Sequence, residues 1–310
     1  MREWIIPGLG AAAVLAVGGF FLYTPSTEDY VRPFVSPPGP ATIIFGGDMM
    51  FDRTIRTTME EKGDDYVFSC IAEFLKDADI VVANLEGPIT SHASKSVDSE
   101  IGGEGNFNFT FPTTTAELLA RHNIRLVNLG NNHIMNFGRE GLFETKKWLE
   151  EADVRHFGDP DLPESERVER MEIRDIPISF VNWSDWTSDK TDHTVAQVRT
   201  EVQAGRLVFV YTHWGEEYVP PLSQMKQLAR SFVDAGASIV IGSHPHIVQE
   251  HERYQGKDIY YSLGNFVFDQ YWSEAVRRGL LLRVSFNPTD ILSVEEIPID
   301  NRTDRRTCAV

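Results

Sequence analysis

Carboxylate, amide and imidazole side chains follow several short apolar runs of this sequence, and these are the side chains that could do chemistry. They occur in five corner motifs: Gly46-Gly47-Asp48, Asn84-Leu85-Glu86, Gly130-Asn131-Asn132-His133, Thr212-His213-Trp214-Gly215 and Gly242-Ser243-His244-Pro245-His246. Neutral imidazoles and carboxylates are ligands of zinc, manganese, iron and nickel ions. If Asp48 and Glu86 lie close together, their charges repel unless a cation stands between them. The motifs therefore predict a divalent metal site.

The His244-Pro245-His246 motif adds a geometric reason for that prediction. Residues two apart in an extended chain point to the same face, and Pro245 biases His244 away from a helical conformation. The alternative is that these are structural residues, because a single histidine at a strand end is more often hydrogen-bonded than ligated. Five corners with the same residue types in one sheet favour a metal site.

The segments that must position these motifs alternate between strand-like and helix-like patterns after Ala41. The predicted strands are Thr42–Gly46, Ile80–Leu85, Arg125–Leu129, Ile178–Trp183, Leu207–Thr212, Ser238–Gly242, Ile259–Leu263 and Leu280–Phe286. The predicted helices are Arg53–Lys62, Tyr66–Asp77, Thr114–His122, Glu140–Ala152 and Leu222–Ala235. Continuous apolar strands alternating with helices indicate a layered α/β domain, in which ligand sites lie beyond the carboxyl ends of the strands. The polar segment Ser91–Asn106 is predicted to be a surface loop beside the site.

Residues 4–23 carry no charge, and an α-helix of this length spans about 30 Å, the thickness of a bilayer core. We predict a membrane anchor over residues 1–23, a proline-rich spacer over 24–40 and the folded domain over 41–310. A cleaved signal peptide is the main alternative, and a buried core helix is another. Arg2 before the apolar run and acidic residues after it favour a single-pass protein with its soluble domain outside the cell or in the periplasm.

The composition is acidic, with 29 Lys and Arg against 46 Asp and Glu and a formal net charge of -17. A nucleic-acid partner is excluded on this basis, because phosphate binding depends on a basic surface. The two cysteines, Cys70 and Cys308, form neither a CxxC motif nor a zinc knuckle. We therefore expect no disulfide framework and interpret Cys70 as a small buried hydrophobic residue.

Six motifs in order along the chain resemble the bacterial capsule-synthesis family (CapA/PgsA, poly-γ-glutamate). The six motifs are Gly47-Asp48-Met49-Met50-Phe51-Asp52-Arg53, Asn84-Leu85-Glu86-Gly87-Pro88, Asn131-Asn132-His133, His213-Trp214-Gly215-Glu216-Glu217-Tyr218, Ser243-His244-Pro245-His246-Ile247-Val248-Gln249 and Tyr261-Ser262-Leu263-Gly264-Asn265-Phe266. The resemblance covers the chain from about Thr42 to Phe286. It implies a metallophosphoesterase-like α/β/β/α sandwich, preceded by one N-terminal transmembrane helix.

The resemblance also implies roles for individual residues. Asp48 and Glu86 would be carboxylate ligands, with Glu86 as the bridge between one or two divalent transition metal ions such as Mn, Zn or Fe. One ion would be completed by Asn132, His213 and His244, and the other would be bound by His246. His133 would stand near the substrate as a general acid, and Arg53 would offer a positive charge to an anionic group.

Some residues depart from the related patterns or allow a second interpretation. Metallophosphoesterases usually begin with Asp-x-His, whereas Met50 occupies the third position here, and Asn136 stands where the capsule family commonly has Asp. Trp214 is either a wall of the substrate site or a core residue, and Asn265 is either a contact of the substrate or metal or part of a turn. The neighbouring Glu216 and Glu217 are interpreted as a solvated acidic pair.

Three functions are compatible with these features. The first is a membrane-anchored factor for synthesis or export of an anionic polymer such as poly-γ-glutamate, with membrane-bound synthase subunits as partners. The second is an extracellular metal-dependent hydrolase of a phosphoester or a γ-glutamyl amide. The third is a binding module with a structural metal, which Met50 and Asn136 favour modestly.

Overall fold

The computed structural model describes residues 39–187 and 190–310. The predicted anchor and all but the last two residues of the predicted spacer lie outside these ranges. Within the described ranges, none of the helices is long and apolar enough to cross a bilayer.

The first of two β-sheets carries the beginning and the end of the described chain. Its parallel half consists of β1 (Ala41–Met49), β2 (Ile80–Leu85), β3 (Ile124–Asn128) and β4 (Arg155–Phe157). Its other strands are β11 (Asn265–Val267), β12 (Arg278–Phe286), β13 (Ile291–Asn301) and β14 (Thr307–Ala309). The order is β14-β13-β12-β1-β2-β3-β4, and the short β11 pairs in parallel with the end of β1.

The second sheet has six strands in the order β5-β6-β7-β8-β10-β9. These are β5 (Glu169–Ile173), β6 (Ile176–Ser184), β7 (Leu207–His213), β8 (Ile239–Ser243), β9 (His251–Tyr254) and β10 (Lys257–Tyr260). The four inner strands run parallel, and the edge strands β5 and β9 are antiparallel to their neighbours. Buried parallel strands explain the continuous apolar runs of β6, β7 and β8 in the sequence.

The two sheets pack face to face, and helices cover their outer faces. The helices are α1 (Arg53–Lys62), α2 (Ala72–Lys76), α3 (Thr115–Arg121), α4 (Gly138–Glu151), α5 (Thr191–Gln203), α6 (Ser223–Asp234) and α7 (Glu274–Arg277). Apolar side chains of both sheets form the central core, where the ring centroid of Phe209 lies 5.6 Å from that of Phe45 and 5.4 Å from that of Phe180. Two outer cores bury α1–α4 against the first sheet and α5 and α6 against the second. The described chain is therefore an α/β fold with four layers, as the sequence predicts.

Several predicted boundaries were wrong. The predicted helix Tyr66–Asp77 is a 3₁₀ turn over Asp64–Phe68 followed by the short α2. The predicted strand Ile259–Leu263 ends earlier, as β10 at Tyr260. Sequence reasoning also missed α5 and the β13–β14 hairpin, because α5 has a weak apolar stripe and only two of the 11 residues of β13 are buried.

The expectation of no disulfide was also wrong, because Cys70 is joined to Cys308 across 238 residues of sequence. Cys70 is exposed rather than buried in the core, whereas Cys308 on β14 is buried. The pairing of β14 with β13 brings Cys308 to the segment before α2. The number and spacing of two distant cysteines do not reveal such a contact, because it depends on tertiary structure.

Candidate metal centre

The predicted ligands converge where strands of both sheets end. Asp48 lies near the end of β1, Glu86 follows β2, and His213 ends β7, and each of these side chains has 0% exposure. His244 and His246 follow β8 and are also buried. The side chains thus lie in one cluster, but the corners belong to two sheets and not to the one sheet that the sequence predicted.

Two groups of side chains in the cluster could each hold a metal ion. Glu86, His213 and His244 form one group, and Asp48, Glu86 and His246 form the other. Within each group, the nitrogen and oxygen atoms lie within 4.8 Å of one another. Since ligands at about 2.1 Å from a metal are about 4 Å apart at most, little movement is needed to bind an ion. Glu86 belongs to both groups, and its role as a bridge between two ions stays a prediction.

The hydrogen bonds of His213 indicate a nitrogen lone pair that faces the first position. The Ser243 hydroxyl donates to Thr212 O at 2.9 Å, so it accepts from Nδ1 of His213, also at 2.9 Å. Nε2 of His213 is then unprotonated and lies 2.9 Å from Oδ1 of Asn132. Two acceptors at this distance repel each other. A cation between them resolves this contact, as would a reversed Asn132 amide.

His246 is arranged in a similar way at the second position. Nδ1 of His246 lies 2.9 Å from Oδ1 of Asn265, whose Nδ2 donates to Val276 O and other acceptors. Nε2 of His246 lies 3.5 Å from Oε1 of Glu86, and Nδ1 lies 3.4 Å from Oδ2 of Asp48. A metal-binding histidine usually donates a hydrogen bond from the ring nitrogen that does not bind the metal.

Two buried atoms of the cluster accept and donate no hydrogen bond among the described residues. They are Oε1 of Glu86 and Nδ1 of His244. An unpaired polar atom in a protein interior costs about 1–3 kcal/mol, and such atoms commonly face an ion or a water molecule. The residues present therefore fit a divalent metal ion.

The electrostatics of the cluster also favour a cation. Burial and the charge of Asp48 raise the pKa of Glu86 well above its usual range. Burial alone would raise the pKa of Asp48 as well, but the hydrogen bond and charge of His246 hold it well below the ordinary value. Burial lowers the pKa of His213 strongly and that of His244 to about 3, so both imidazoles are neutral ligands at physiological pH.

A chain of buried amides supports the carboxylates from behind. Nδ2 of Asn84 donates to Oδ1 of Asp48 at 2.8 Å, and Oδ1 of Asn84 accepts from Nδ2 of Asn128 at 3.0 Å. Oδ1 of Asn128 in turn accepts from Nδ2 of Asn182 on the second sheet at 2.8 Å. Sequence reasoning did not assign these roles, because the partners of an inward-facing asparagine depend on how the two sheets pack.

His133 lies beside the cluster in a partly buried, apolar position. Its ring centroid is 4.4 Å from that of Phe109, and its Nδ1 lies 3.1 Å from Oδ1 of Asn136. Burial lowers the pKa of His133 to about 4. At neutral pH the imidazole is therefore largely deprotonated, and the neutral Asn136 cannot stabilise its cation as a carboxylate would. Its role as a general acid stays a prediction.

Arg53 is close to the cluster, but its charge is already partly compensated. Its guanidinium donates to Asp269 at 2.5 Å and to Asn106 at 3.3 Å. The same group lies 5.1 Å from the ring centroid of Phe109 and 5.4 Å from that of Phe268. Binding of an anionic group by Arg53 stays a prediction, and Asp269 would compete for the same guanidinium.

The two predicted substrate contacts have other surroundings. Trp214 has 0% exposure, lies in the core under α6, and donates from Nε1 to Tyr261 O at 2.8 Å. Its interpretation as a wall of the site is therefore wrong, and Trp186, which sequence reasoning missed, contacts the ligands instead, with its ring centroid 4.1 Å from that of His244. Its position just after β6, at another strand end, is the signal that could have found it. Asn265 is fully buried and positions His246 rather than facing solvent.

A cavity of about 710 Å³ lies beside the cluster. Its lining includes Arg53, Arg305, Glu217, Tyr218 and Trp272, together with residues of the predicted loop. Asp52 holds that loop against α1, because its carboxylate accepts from Ser94 Oγ at 2.7 Å and from Thr110 N at 2.8 Å. The cavity borders the candidate centre at Glu217, whose carboxylate lies near His244 and His246.

The architecture and the site define a mixed α/β protein with a buried histidine–carboxylate cluster where its two sheets meet. The family model "Bacterial capsule synthesis protein PGA_cap" matches residues 42–270. The chain belongs to this family.

Several relatives in the family carry names that describe their roles. The chain is 29% identical over 279 residues to "Capsule biosynthesis protein CapA" of Bacillus anthracis. The aligned region covers 83% of this chain and 67% of the relative. The chain is 29% identical over 274 residues to "PGA biosynthesis protein CapA" of Bacillus subtilis, covering 83% and 70%. It is 26% identical over 219 residues to a "Probable polyglutamine synthesis accessory protein" of Mycobacterium tuberculosis, covering 62% and 56%.

Proposed function

We propose that this protein acts in the synthesis or export of poly-γ-glutamate at the cell membrane, through a metal-binding domain of the metallophosphoesterase type. The observation that carries the proposal is the coincidence of family membership with the buried cluster around Glu86. The choice of polymer rests on the names of the relatives, which describe capsule or PGA biosynthesis.

Two features support a position outside the cytoplasm. Disulfides persist in oxidising compartments and are rare in the cytosol of most organisms, and this chain joins Cys70 to Cys308. The apolar segment over residues 4–23 would anchor the domain to the membrane, with the proline-rich spacer between them. A membrane-bound synthase would then meet the domain at the surface where the polymer emerges.

In this proposal the residues of the chain bind and orient the polymer. Asp48, Glu86, Asn132, His213, His244 and His246 would hold one or two divalent ions. Each ion would act as a Lewis acid toward an anionic or carbonyl oxygen. Arg53 and Arg305 line the cavity and would attract carboxylates, which offsets the repulsion expected between a polyanion and a protein of net charge -17.

Polymer production in cells tests the proposal. A strain that lacks its own copy would be complemented with the full-length wild type, with Asp48→Asn, or with Asp175→Asn in the exposed turn between β5 and β6 as a matched control. We expect wild type and control to restore polymer and Asp48→Asn to fail at equal protein levels. Unchanged polymer in the strain without the protein would refute the proposal.

A second candidate function is hydrolysis of a phosphoester or a γ-glutamyl amide. Glu86 belongs to two ligand groups, so the cluster could hold two ions side by side. This favours hydrolysis, because paired ions can stabilise both the attacking and the leaving group. The test is turnover of a chromogenic phosphoester and of a γ-glutamyl peptide with Mn, Zn or Fe. Turnover that is lost in His244→Ala supports the function, and no turnover with any of these ions contradicts it.

A further inference from the structure

We propose that Glu217 is an additional ligand of the metal ion that His246 binds. This inference rests on the metal centre of the proposed function and extends it to a residue that sequence patterns assign to a solvated surface. Glu217 belongs to the loop between β7 and α6, and its side chain is exposed at the mouth of the cavity. The position makes the carboxylate accessible both to the cluster and to an incoming ligand.

The first argument is proximity to the imidazoles. A carboxylate oxygen of Glu217 and ring nitrogens of His244 and His246 lie within 4.8 Å of one another. Atoms bound to one transition metal at about 2.1 Å are separated by about 3–4 Å, so a small rotation of the flexible glutamate side chain completes the contact.

The second argument is that the backbone holds this glutamate beside the histidine turn. The N–H of Tyr218 donates to Pro245 O at 2.9 Å, between the two histidines. The N–H of Trp214 donates to Ser243 O at 3.2 Å, so the loop is tied to the turn on both sides of Glu217. The amide of Gly215 is held in turn by Asp185 Oδ2 at 2.7 Å.

Backbone strain occurs on both sides of this contact. Tyr218 has φ of 63°, His244 has φ of 96° and His246 has φ of 57°. Residues with side chains rarely adopt these left-handed values, because the Cβ atom then lies too close to the backbone. Conformations of this kind persist where the surrounding structure requires them, and they cluster at ligand sites.

The third argument is the shortage of ligands around His246. Met50, two residues after Asp48 on the same strand end, turns away into the outer core, and its sulfur accepts from Asp52 N at 3.0 Å. Oε1 of Glu86 and Nδ1 of His244 are buried and make no hydrogen bond with the described residues. A carboxylate from the β7–α6 loop gives an ion in this position a further oxygen ligand and one more negative charge to balance its own.

Metal binding by the full-length protein tests the inference. The metal-free chain, purified in detergent, would be titrated with Mn²⁺, and bound ions would be counted by electron paramagnetic resonance and elemental analysis. Glu217→Gln is compared with Glu216→Gln, which removes the same charge from the neighbouring exposed residue. We expect Glu217→Gln to weaken the binding of one ion at least tenfold and Glu216→Gln to change it less than twofold.

A double variant shows whether Glu217 and His246 serve the same ion. If they do, His246→Ala with Glu217→Gln loses no more bound metal than His246→Ala alone. Equal binding by wild type and Glu217→Gln, or equal weakening by the two glutamine variants, would overturn the inference and leave the remaining metal centre intact. A wild type that binds no Mn²⁺ or Zn²⁺ would instead overturn the proposed function, and the inference with it.

Discussion

At the level of single residues, the candidate centre depends on amides that fix the direction of its ligands. Asn84 donates to Asp48, and Asn265 accepts from the Nδ1 of His246. Each contact leaves the lone pairs of the ligand atoms directed toward the predicted ion. The corner motifs reveal the ligands, because their residue types are distinctive. The same motif does not reveal the role of Asn84, because the function of an amide side chain depends on which groups it hydrogen-bonds in the folded protein.

We predict that Asn84→Asp destabilises the metal-free protein strongly. The change replaces a donor by a carboxylate oxygen 2.8 Å from Asp48 Oδ1, in a site that already buries two carboxylates. The free energy of unfolding should fall by about 3 kcal/mol or more, as measured by urea denaturation.

Asn287→Asp is the matched control for this variant. It adds the same charge in the turn before β13, where Oδ1 of Asn287 accepts from the backbone N–H groups of Thr289 and Asp290 and from the hydroxyl of Thr289. An aspartate can make the same contacts, so its stability should match that of the wild type. Equal effects of the two variants would contradict the role assigned to Asn84.

At the level of elements, the strand ends that carry the ligands are well predicted and the C-terminal hairpin is not. The apolar runs of β1, β2, β7 and β8 are continuous because both faces of these strands are covered. In contrast, only two of the 11 residues of β13 are buried, and β14 has three residues. The attachment of β14 depends on pairing with β13 and on the disulfide, and neither contact leaves a periodic pattern in the sequence.

The disulfide should be a large contribution to the stability of this hairpin. We expect reduction, or Cys308→Ser, to lower the free energy of unfolding by about 2–5 kcal/mol, because the bond closes a long loop in the unfolded chain. Denaturation with and without a reducing agent measures the effect. The double variant Cys70→Ser with Cys308→Ser should not respond to the reducing agent. Labelling of both thiols in the unreduced protein would show that the bond is absent.

At the level of the whole molecule, the candidate metal centre lies where the two sheets meet. The first sheet contributes Asp48 and Glu86, and the second contributes His213, His244 and His246. The sequence predicts that all these residues follow strands, but not which sheet each strand joins. Metal binding should therefore couple to the packing of the two sheets, since an ion bound only by the folded state stabilises the whole domain.

The pH dependence of stability should expose the buried imidazoles. Burial lowers the pKa of His213 strongly, that of His244 to about 3 and that of His133 to about 4, compared with 6.5 in an unfolded chain. Below pH 6.5 the unfolded state binds protons that the folded state does not, so stability falls as pH falls. The raised pKa of Glu86 has the opposite effect and makes stability rise as pH falls. This contribution from one carboxylate offsets only part of the stability lost through three histidines.

We therefore expect the metal-free protein to lose about 1–3 kcal/mol of stability between pH 7 and pH 5, as measured by urea denaturation. A bound ion should hold the imidazoles in their neutral form, so the midpoint pH of metal release should lie above that of acid unfolding. Constant stability of the metal-free protein over this range would contradict the buried, neutral state of these histidines.

The bond between Cys70 and Cys308 also changes what a proteolytic cut can do. Residues 70 to 308 form a covalent ring, and Glu86 and the candidate metal-binding histidines lie inside it. A protease that nicks the exposed loop around Ile101 opens the ring but leaves one connected molecule. A protein exposed to enzymes in its surroundings would then keep both halves of its site together after damage that divides an unlinked chain into two fragments.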